Sequence, residues 1–190
     1  HMLDYRLPRA IETARKLGLD KMIGLEPGVR YPLGIIAAGP SYLFVEDMLA
    51  ELGLAGKVPI FKPGLVWPLD NDGIHKLAGA VDNILVVEEK GPFMEDQVKV
   101  ALQDAMASGA LAEGSLPVVI GKKFTNGSEC MQASRGLSPS LMIVRLGDWL
   151  GELFPELAQK IATEVRLTRE VAEYQATSPA RTATFCAGCP

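Results

Sequence analysis

The chain has 190 residues, 48% hydrophobic and 22% charged, which is the composition of one globular domain with a substantial core. Its net charge is −4, and no Lys/Arg-rich run or apolar run of about 20 residues is present, so we expect no binding to nucleic acid and no membrane association. Three cysteines, an odd number, argue against a secreted disulfide scaffold and predict a cytoplasmic location.

Short apolar runs alternate with segments of helical periodicity along the chain. The predicted strands are residues 33–39, 57–61, 83–89 and 116–121. Pro59 predicts that the second strand either lies at a sheet edge or begins at this proline. Strands that are separated by single helices cannot pair as hairpins, so they form a parallel sheet through right-handed crossovers.

The predicted helices have recognisable start and stop signals. Ser41 is expected to cap a helix that ends at Gly53, and Asp70 is expected to cap the next one. Two further helices start at Gly91-Pro92 and at Ser138-Pro139. With a helix near 8–17 and another near 155–174, the pattern predicts an α/β fold: three layers around a doubly wound, mainly parallel sheet.

We expect four regions along the chain. Residues 1–30 comprise the remnant of a cleaved affinity tag, His1-Met2, and an N-terminal helical linker. Residues 31–154 form the α/β domain, and 155–180 form a C-terminal helix and linker. Residues 181–190 are an extended tail, which is where two of the three cysteines lie.

Ligands of open parallel sheets bind at the carboxyl ends of the strands, which directs attention to three loops. In the first, the helix amides near Gly39, Ser41 and Tyr42 could hold an anion, although an ordinary turn with a serine cap is the alternative. In the second, Pro63 begins a stiff loop that carries Trp67, and we favour a partner surface over packing within the domain.

The third loop contains Glu88, Glu89 and Lys90 at the end of the strongest predicted strand. Two carboxylates and an ammonium group could perform acid–base chemistry. Ion pairing in solvent or at an interface is the interpretation that these residue types favour. His75 is expected on the solvated side of its helix, and Cys130, a lone thiol in a long loop, is expected to be incidental.

Cys186 and Cys189 form the one metal-binding pattern in the sequence. A two-residue gap lets both thiolates face one zinc ion or one iron–sulfur cluster. A redox dithiol is the competing use, but that motif normally opens a helix in a thioredoxin-like unit. The pair supplies two of four ligands, so it cannot complete a site by itself.

Several segments, taken together and in order, resemble indolepyruvate ferredoxin oxidoreductases, most closely the form whose subunits are fused in one chain. The segments are "GIIAAGPSYLFVEDML", "FKPGLVWPLDNDGI", "ILVVEEKGPFMEDQVK", "IGKK" followed by "GLSPS", and "RTATFCAGCP". The resemblance covers most of the chain and implies a domain like the C-terminal domain of transketolase. It also implies that residues 181–190 open a thiamine-diphosphate-binding domain, in which Cys186 and Cys189 are half of the ligands of a 4Fe-4S cluster.

The resemblance implies a parent enzyme that oxidatively decarboxylates an aryl 2-oxo acid such as indolepyruvate. Thiamine diphosphate with Mg²⁺, 4Fe-4S clusters, CoA and ferredoxin are its implied cofactors and partners, and we expect a homo-oligomer. This chain alone is expected to bind none of the cofactors, to be inert, and to brace flanking thiamine-diphosphate domains. Alternatives are an independent module that binds CoA or a small anion, and an interaction module that dimerises.

Overall fold

A five-stranded mixed sheet lies at the centre of the computed structural model, which describes residues 1–111, 116–134 and 136–177. In chain order the strands are β1 (Lys21–Ile23), β2 (Gly34–Ala37), β3 (Ile60–Lys62), β4 (Asn83–Val87) and β5 (Val118–Ile120). Across the sheet the order is β1-β3-β2-β4-β5. Only β1, in the described part of the chain, pairs antiparallel with its neighbour.

Helices cover both faces of the sheet. They are α1 (Leu7–Lys16), α2 (Gly39–Leu52), α3 (Asn71–Ala78), α4 (Phe93–Ala107), α5 (Pro139–Leu153) and α6 (Ala158–Ala176). A π-helical turn, Met2–Arg6, precedes α1, and a 3-10 turn, Pro155–Leu157, precedes α6. No helix in the described ranges is long and apolar enough to cross a lipid bilayer.

Alternation along the strands divides the core into two layers. Ile35 and Leu85 belong to the layer shared with α2, α5 and α6, whereas Ile36 and Ile84 belong to the layer shared with α3 and α4. All four residues of β2 are buried, as expected for a central parallel strand that is covered on both faces. The predicted three-layer, mainly parallel α/β fold is therefore confirmed.

Four local details refine the sequence-based expectations. The N-cap of α2 is Ala38, and no side chain caps this helix, so the expected Ser41 cap is wrong. Pro59 immediately precedes β3, which lies between β1 and β2, so it marks a strand start and not an edge. His75 is half-buried rather than solvated, and its Nε2 lies 3.3 Å from the carbonyl oxygen of Ala101.

The segment before residue 31 contributes to the sheet, which its sequence pattern did not predict. Met22 of β1 pairs with Phe61 of β3. The preceding helix, α1, is attached through Arg15, whose guanidinium group contacts both carboxylate oxygens of Asp70. At the other end of the chain, α6 packs on α5, where Gly147 leaves room for Val165.

Candidate functional site

The direction of chain winding reverses between β2 and β4. These strands are parallel neighbours, with Ala37 opposite Val87, and the helices that follow them cover opposite faces of the sheet. The connections after the two strands therefore separate at the carboxyl edge, which is where doubly wound folds bind ligands. The loops after β2, β3 and β4 all begin at this edge because the three strands are parallel. The structure thus brings the three predicted loops to one edge of the sheet.

The first turn of α2 is open at this edge. Gly39 has a φ of +54°, and no atom lies within 4 Å of the position that a Cβ would take there. Pro40 has no amide hydrogen to donate. Ser41 is only 5% exposed, and its hydroxyl group has no hydrogen-bond partner among the described residues. The amides of Gly39 and Ser41 have no intrahelical acceptor.

Tyr42 connects this turn to the end of β3. Its hydroxyl group donates to Oε1 of Glu46, and this hydrogen bond, with burial, raises the pKa of Tyr42 to about 12. The Nζ of Lys62 lies 4.2 Å from the centroid of the Tyr42 ring, in cation–π contact. Lys62 is half-buried and has no carboxylate within 4.0 Å among the described side chains, so its positive charge is not compensated there.

Glu88 has a different role from the one its residue type suggests. Its carboxylate is buried and accepts hydrogen bonds from the amides of Met94 (2.7 Å) and Glu95 (3.0 Å). The first turn of α4 is therefore occupied by a side chain of this chain itself. The expected solvated or interfacial ion pairing is wrong for Glu88, because both carboxylate oxygens are used to cap α4.

A second buried carboxylate, Glu95, joins α4 to the end of β5. Its Oε2 accepts the amide of Lys122 at 2.8 Å, and its Oε1 accepts the Nζ of Lys99 at 2.5 Å. The Nζ of Lys122 donates to the carbonyl oxygen of Glu88, and burial lowers the pKa of this lysine. Sequence reasoning missed both Glu95 and Lys122; an acidic residue in the first turn of a helix was the only signal available.

The other two residues of the third loop stay at the surface. Glu89 is exposed, and its Oε1 accepts the amide of Leu137 at 3.3 Å. Lys90 is exposed too and has a φ of +58°, in the left-handed region that favours glycine. Among the described residues, neither side chain forms an ion pair.

The loop after β3 is tied to α4 by one glutamine. Gln97 donates to the carbonyl oxygen of Val66 at 3.0 Å and accepts the amide of Leu69 at 3.1 Å. Pro63 is buried at the start of this loop. Trp67 is 50% exposed, beside a cis peptide bond to Pro68, so an anchored backbone holds a large aromatic side chain at the surface.

The thiol groups are divided between the core and the undescribed tail. Cys130 is completely buried, and burial raises its pKa to about 12, so it is part of the core and not an incidental loop residue. Cys186 and Cys189 lie outside the described residues. Within the described ranges, no three His, Cys, Asp or Glu side chains cluster as metal ligands.

The carboxylates at the carboxyl edge accept backbone amides of this chain. Glu88 holds backbone amides, and Glu89 makes one long hydrogen bond to another amide. In the described part of this edge, the open groups include hydrogen-bond donors of the first turn of α2, the Lys62 ammonium group, Lys90 and the Trp67 ring.

Known proteins with similar sequences agree on one family name. The indolepyruvate oxidoreductase subunit IorA of Pyrococcus horikoshii is 41% identical over 68 residues, which are 36% of this chain and 10% of that protein. IorA of Archaeoglobus fulgidus is 27% identical over 158 residues, or 83% of this chain and 21% of that protein. The chain thus spans about a tenth to a fifth of the length of these curated relatives.

Solved structures with a related chain path include two enzymes. A 2-oxoglutarate:ferredoxin oxidoreductase from Magnetococcus marinus, with 2-oxoglutarate, coenzyme A and succinyl-CoA bound, superposes with a TM-score of 0.40 at 15% identity over 77% of this chain and 19% of that one. A split-gene transketolase superposes with the same TM-score over 76% of this chain and 45% of that one. A model of the indolepyruvate oxidoreductase domain matches residues 25–174. The chain therefore belongs to the indolepyruvate oxidoreductase domain family.

Proposed function

We propose that this chain is one domain of a thiamine-diphosphate-dependent enzyme that oxidises an aryl 2-oxo acid such as indolepyruvate to an acyl-CoA and passes the electrons to ferredoxin. The observation that carries the proposal is the match of the family model to residues 25–174. The names of the relatives, which share up to 41% identity with the chain, support the same substrate class. The enzyme would act in the cytoplasm as a homo-oligomer.

The described residues do not fit the cofactors of this reaction. No cluster of three potential metal ligands occurs among them, and the buried carboxylates of Glu88 and Glu95 already accept backbone amides. Mg²⁺ and thiamine diphosphate therefore belong, in this proposal, to the rest of a longer protein. Cys186 and Cys189 would contribute half of the ligands of a 4Fe-4S cluster that other segments complete.

The role of the domain itself, in this proposal, is to brace neighbouring thiamine-diphosphate domains. The contact surface would be the exposed side of the carboxyl edge, formed by Gly39, Trp67, Glu89 and Lys90, whereas Tyr42 is buried. Trp67 supports this role, because an exposed aromatic side chain on an anchored loop is a typical interface anchor. The chain alone would be inert in this proposal, because the cofactors of the reaction would be held by other domains.

Enzyme assays test the proposal at two levels. The full-length protein is assayed for reduction of ferredoxin that depends on indolepyruvate and CoA, and the 190-residue chain is assayed in parallel. We expect activity from the full-length protein alone. A full-length protein that does not oxidise aryl 2-oxo acids contradicts the assigned reaction, and turnover by the 190-residue chain contradicts the bracing role.

A matched pair of variants tests the proposed contact surface in the full-length protein. Trp67→Ala should weaken association between domains or subunits, seen as a lower mass in light scattering and a lower kcat. Val171→Ala, which removes a comparably exposed apolar side chain from α6, is the control. Equal effects of the two substitutions would argue against a contact through Trp67.

A further inference from the structure

The first turn of α2 differs from the first turns of the next three helices. The amides of those helices are satisfied by side chains: Asp70 at α3, Glu88 at α4 and Ser138 at α5. No side chain caps α2, although it starts at the point where the winding of the sheet reverses. Two further groups show what this open turn is suited to bind.

A buried hydroxyl group is directed toward the open turn. Ser41 lies on the inward stripe of α2, four residues before Val45 and seven before Met48, both of which are buried in the core. Because side chains on a helix tilt toward its N-terminus, the Ser41 hydroxyl is directed at the carboxyl edge of the sheet. In the described chain, every polar side-chain atom that is completely buried has a hydrogen-bond partner. The Ser41 hydroxyl has no partner, so it must reach solvent at that edge.

An uncompensated positive charge lies beside the same turn. Phe61 is in register with Ile36, so Lys62 lies next to Ala37, the last residue of β2, and Ala38 separates Ala37 from the start of α2. Its ammonium group contacts the ring of Tyr42, the residue that follows Ser41 in α2. Lys62 is half-buried, and no described carboxylate lies within 4.0 Å of it. Its ammonium group is therefore available to pair with an external anion.

We propose that the amides of the first turn of α2, the Ser41 hydroxyl and the Lys62 ammonium group form a binding site for a phosphate group. The amides of Gly39 and Ser41 with these two side chains offer more donors than the two oxygens of a carboxylate need, and a phosphate has three oxygens to accept them. Open space at Gly39 leaves room for the ligand.

This inference deepens the proposed function, because it assigns a phosphate-bearing ligand to the surface that would face the cofactor-binding domains. The phosphate group could belong to CoA or be free inorganic phosphate. These ligands present the same phosphate group to the site, so only a binding experiment can tell which of them it binds.

The test is a titration of the ¹⁵N-labelled 190-residue chain with inorganic phosphate, followed by two-dimensional amide NMR at constant ionic strength. We expect saturable shifts of the amide signals of Gly39, Ser41 and Tyr42. Lys62→Met should raise the Kd roughly tenfold, because it removes the charge and keeps the packed stem. Lys57→Met is the control, since Lys57 is exposed before the opposite end of β3, and it should leave the Kd unchanged.

The same titration with CoA identifies the source. Tighter binding of CoA than of inorganic phosphate at the same amides assigns the phosphate group to CoA, and equal binding of the two assigns the site to free phosphate. Shifts that chloride reproduces, or that Lys62→Met and Lys57→Met change equally, would overturn the site. Such a failure leaves the oxidoreductase assay of the full-length protein unaffected, so this inference and the proposed function fail separately.

Discussion

The carboxylate of Glu95 occupies the space that any side chain at Gly121 would need. A Cβ placed on Gly121 would lie 2.2 Å from Oε2 of Glu95. That carboxylate cannot move without loss, because it accepts the amide of Lys122 and the ammonium group of Lys99. The close approach lets the first turn of α4 pack directly on the end of β5.

We therefore expect Gly121→Ala to lower the free energy of unfolding by about 2–4 kcal/mol, because the new methyl group must displace a buried, hydrogen-bonded carboxylate. Urea unfolding followed by circular dichroism measures the effect. Gly91→Ala is the matched control: no atom lies within 4 Å of its Cβ position, so its effect should stay below about 1 kcal/mol. Similar losses for the two variants would contradict the steric argument.

Glu88→Ala should destabilise the protein by about 1–2 kcal/mol, because it removes both hydrogen bonds that cap the first turn of α4. Glu88→Gln should recover part of this loss, since one amide oxygen still accepts. Glu89→Ala is the control on the neighbouring residue, whose single hydrogen bond to Leu137 is longer and exposed. Urea midpoints that rank Glu89→Ala as the more damaging substitution would refute the capping role.

The pairing of Arg15 with Asp70 should make stability depend on pH. The hydrogen bond from Arg15 is the main reason that the pKa of Asp70 is lowered in the folded state. A carboxyl group whose pKa is lower in the folded than in the unfolded state stabilises the fold at pH values above its unfolded-state pKa of about 3.9. This contribution is lost as the pH falls through the pKa of the folded state.

Asp70→Asn keeps an oxygen that can cap α3 and removes the charge that pairs with Arg15. We expect a loss of about 1–2 kcal/mol near pH 7, shrinking toward zero at acidic pH once Asp70 is protonated in the original protein too. Asp72→Asn is the control, because this exposed carboxylate contacts the same arginine and should contribute less. A loss of the same size at both pH values would rule out the charge as the cause.

Cys130 should be protected from thiol reagents in the folded protein. It is completely buried, and its pKa of about 12 keeps the thiolate fraction roughly a thousandfold below that of an ordinary cysteine. In a Cys186→Ser, Cys189→Ser variant, a disulfide reagent should label Cys130 at least about a thousandfold more slowly in the folded protein than in urea, where the thiol is exposed. Rapid labelling under native conditions would show that the segment around Cys130 opens readily.

Local sequence patterns were sufficient for most of the secondary structure. Asp70 and Ser138 are the N-caps that their positions predicted, and Gly53 ends α2 in the left-handed conformation. These features depend on residues within one turn of each other, so the local sequence contains the information. The strand β1 was missed because its pairing depends on a partner strand that lies about 40 positions later in the chain.

The sequence by itself determined the family, the alternation of strands and helices, and the edge of the sheet at which a site should lie. Only the tertiary structure decided which polar groups at that edge are already used. Glu95 and Lys122 are 27 residues apart, and Lys122 and Glu88 are 34 apart, so their hydrogen bonds exist only after α4 packs against β5. The packing of β3 beside β2 likewise places Lys62 at α2. No local propensity encodes such partners, because burial and pairing depend on how distant segments fit together.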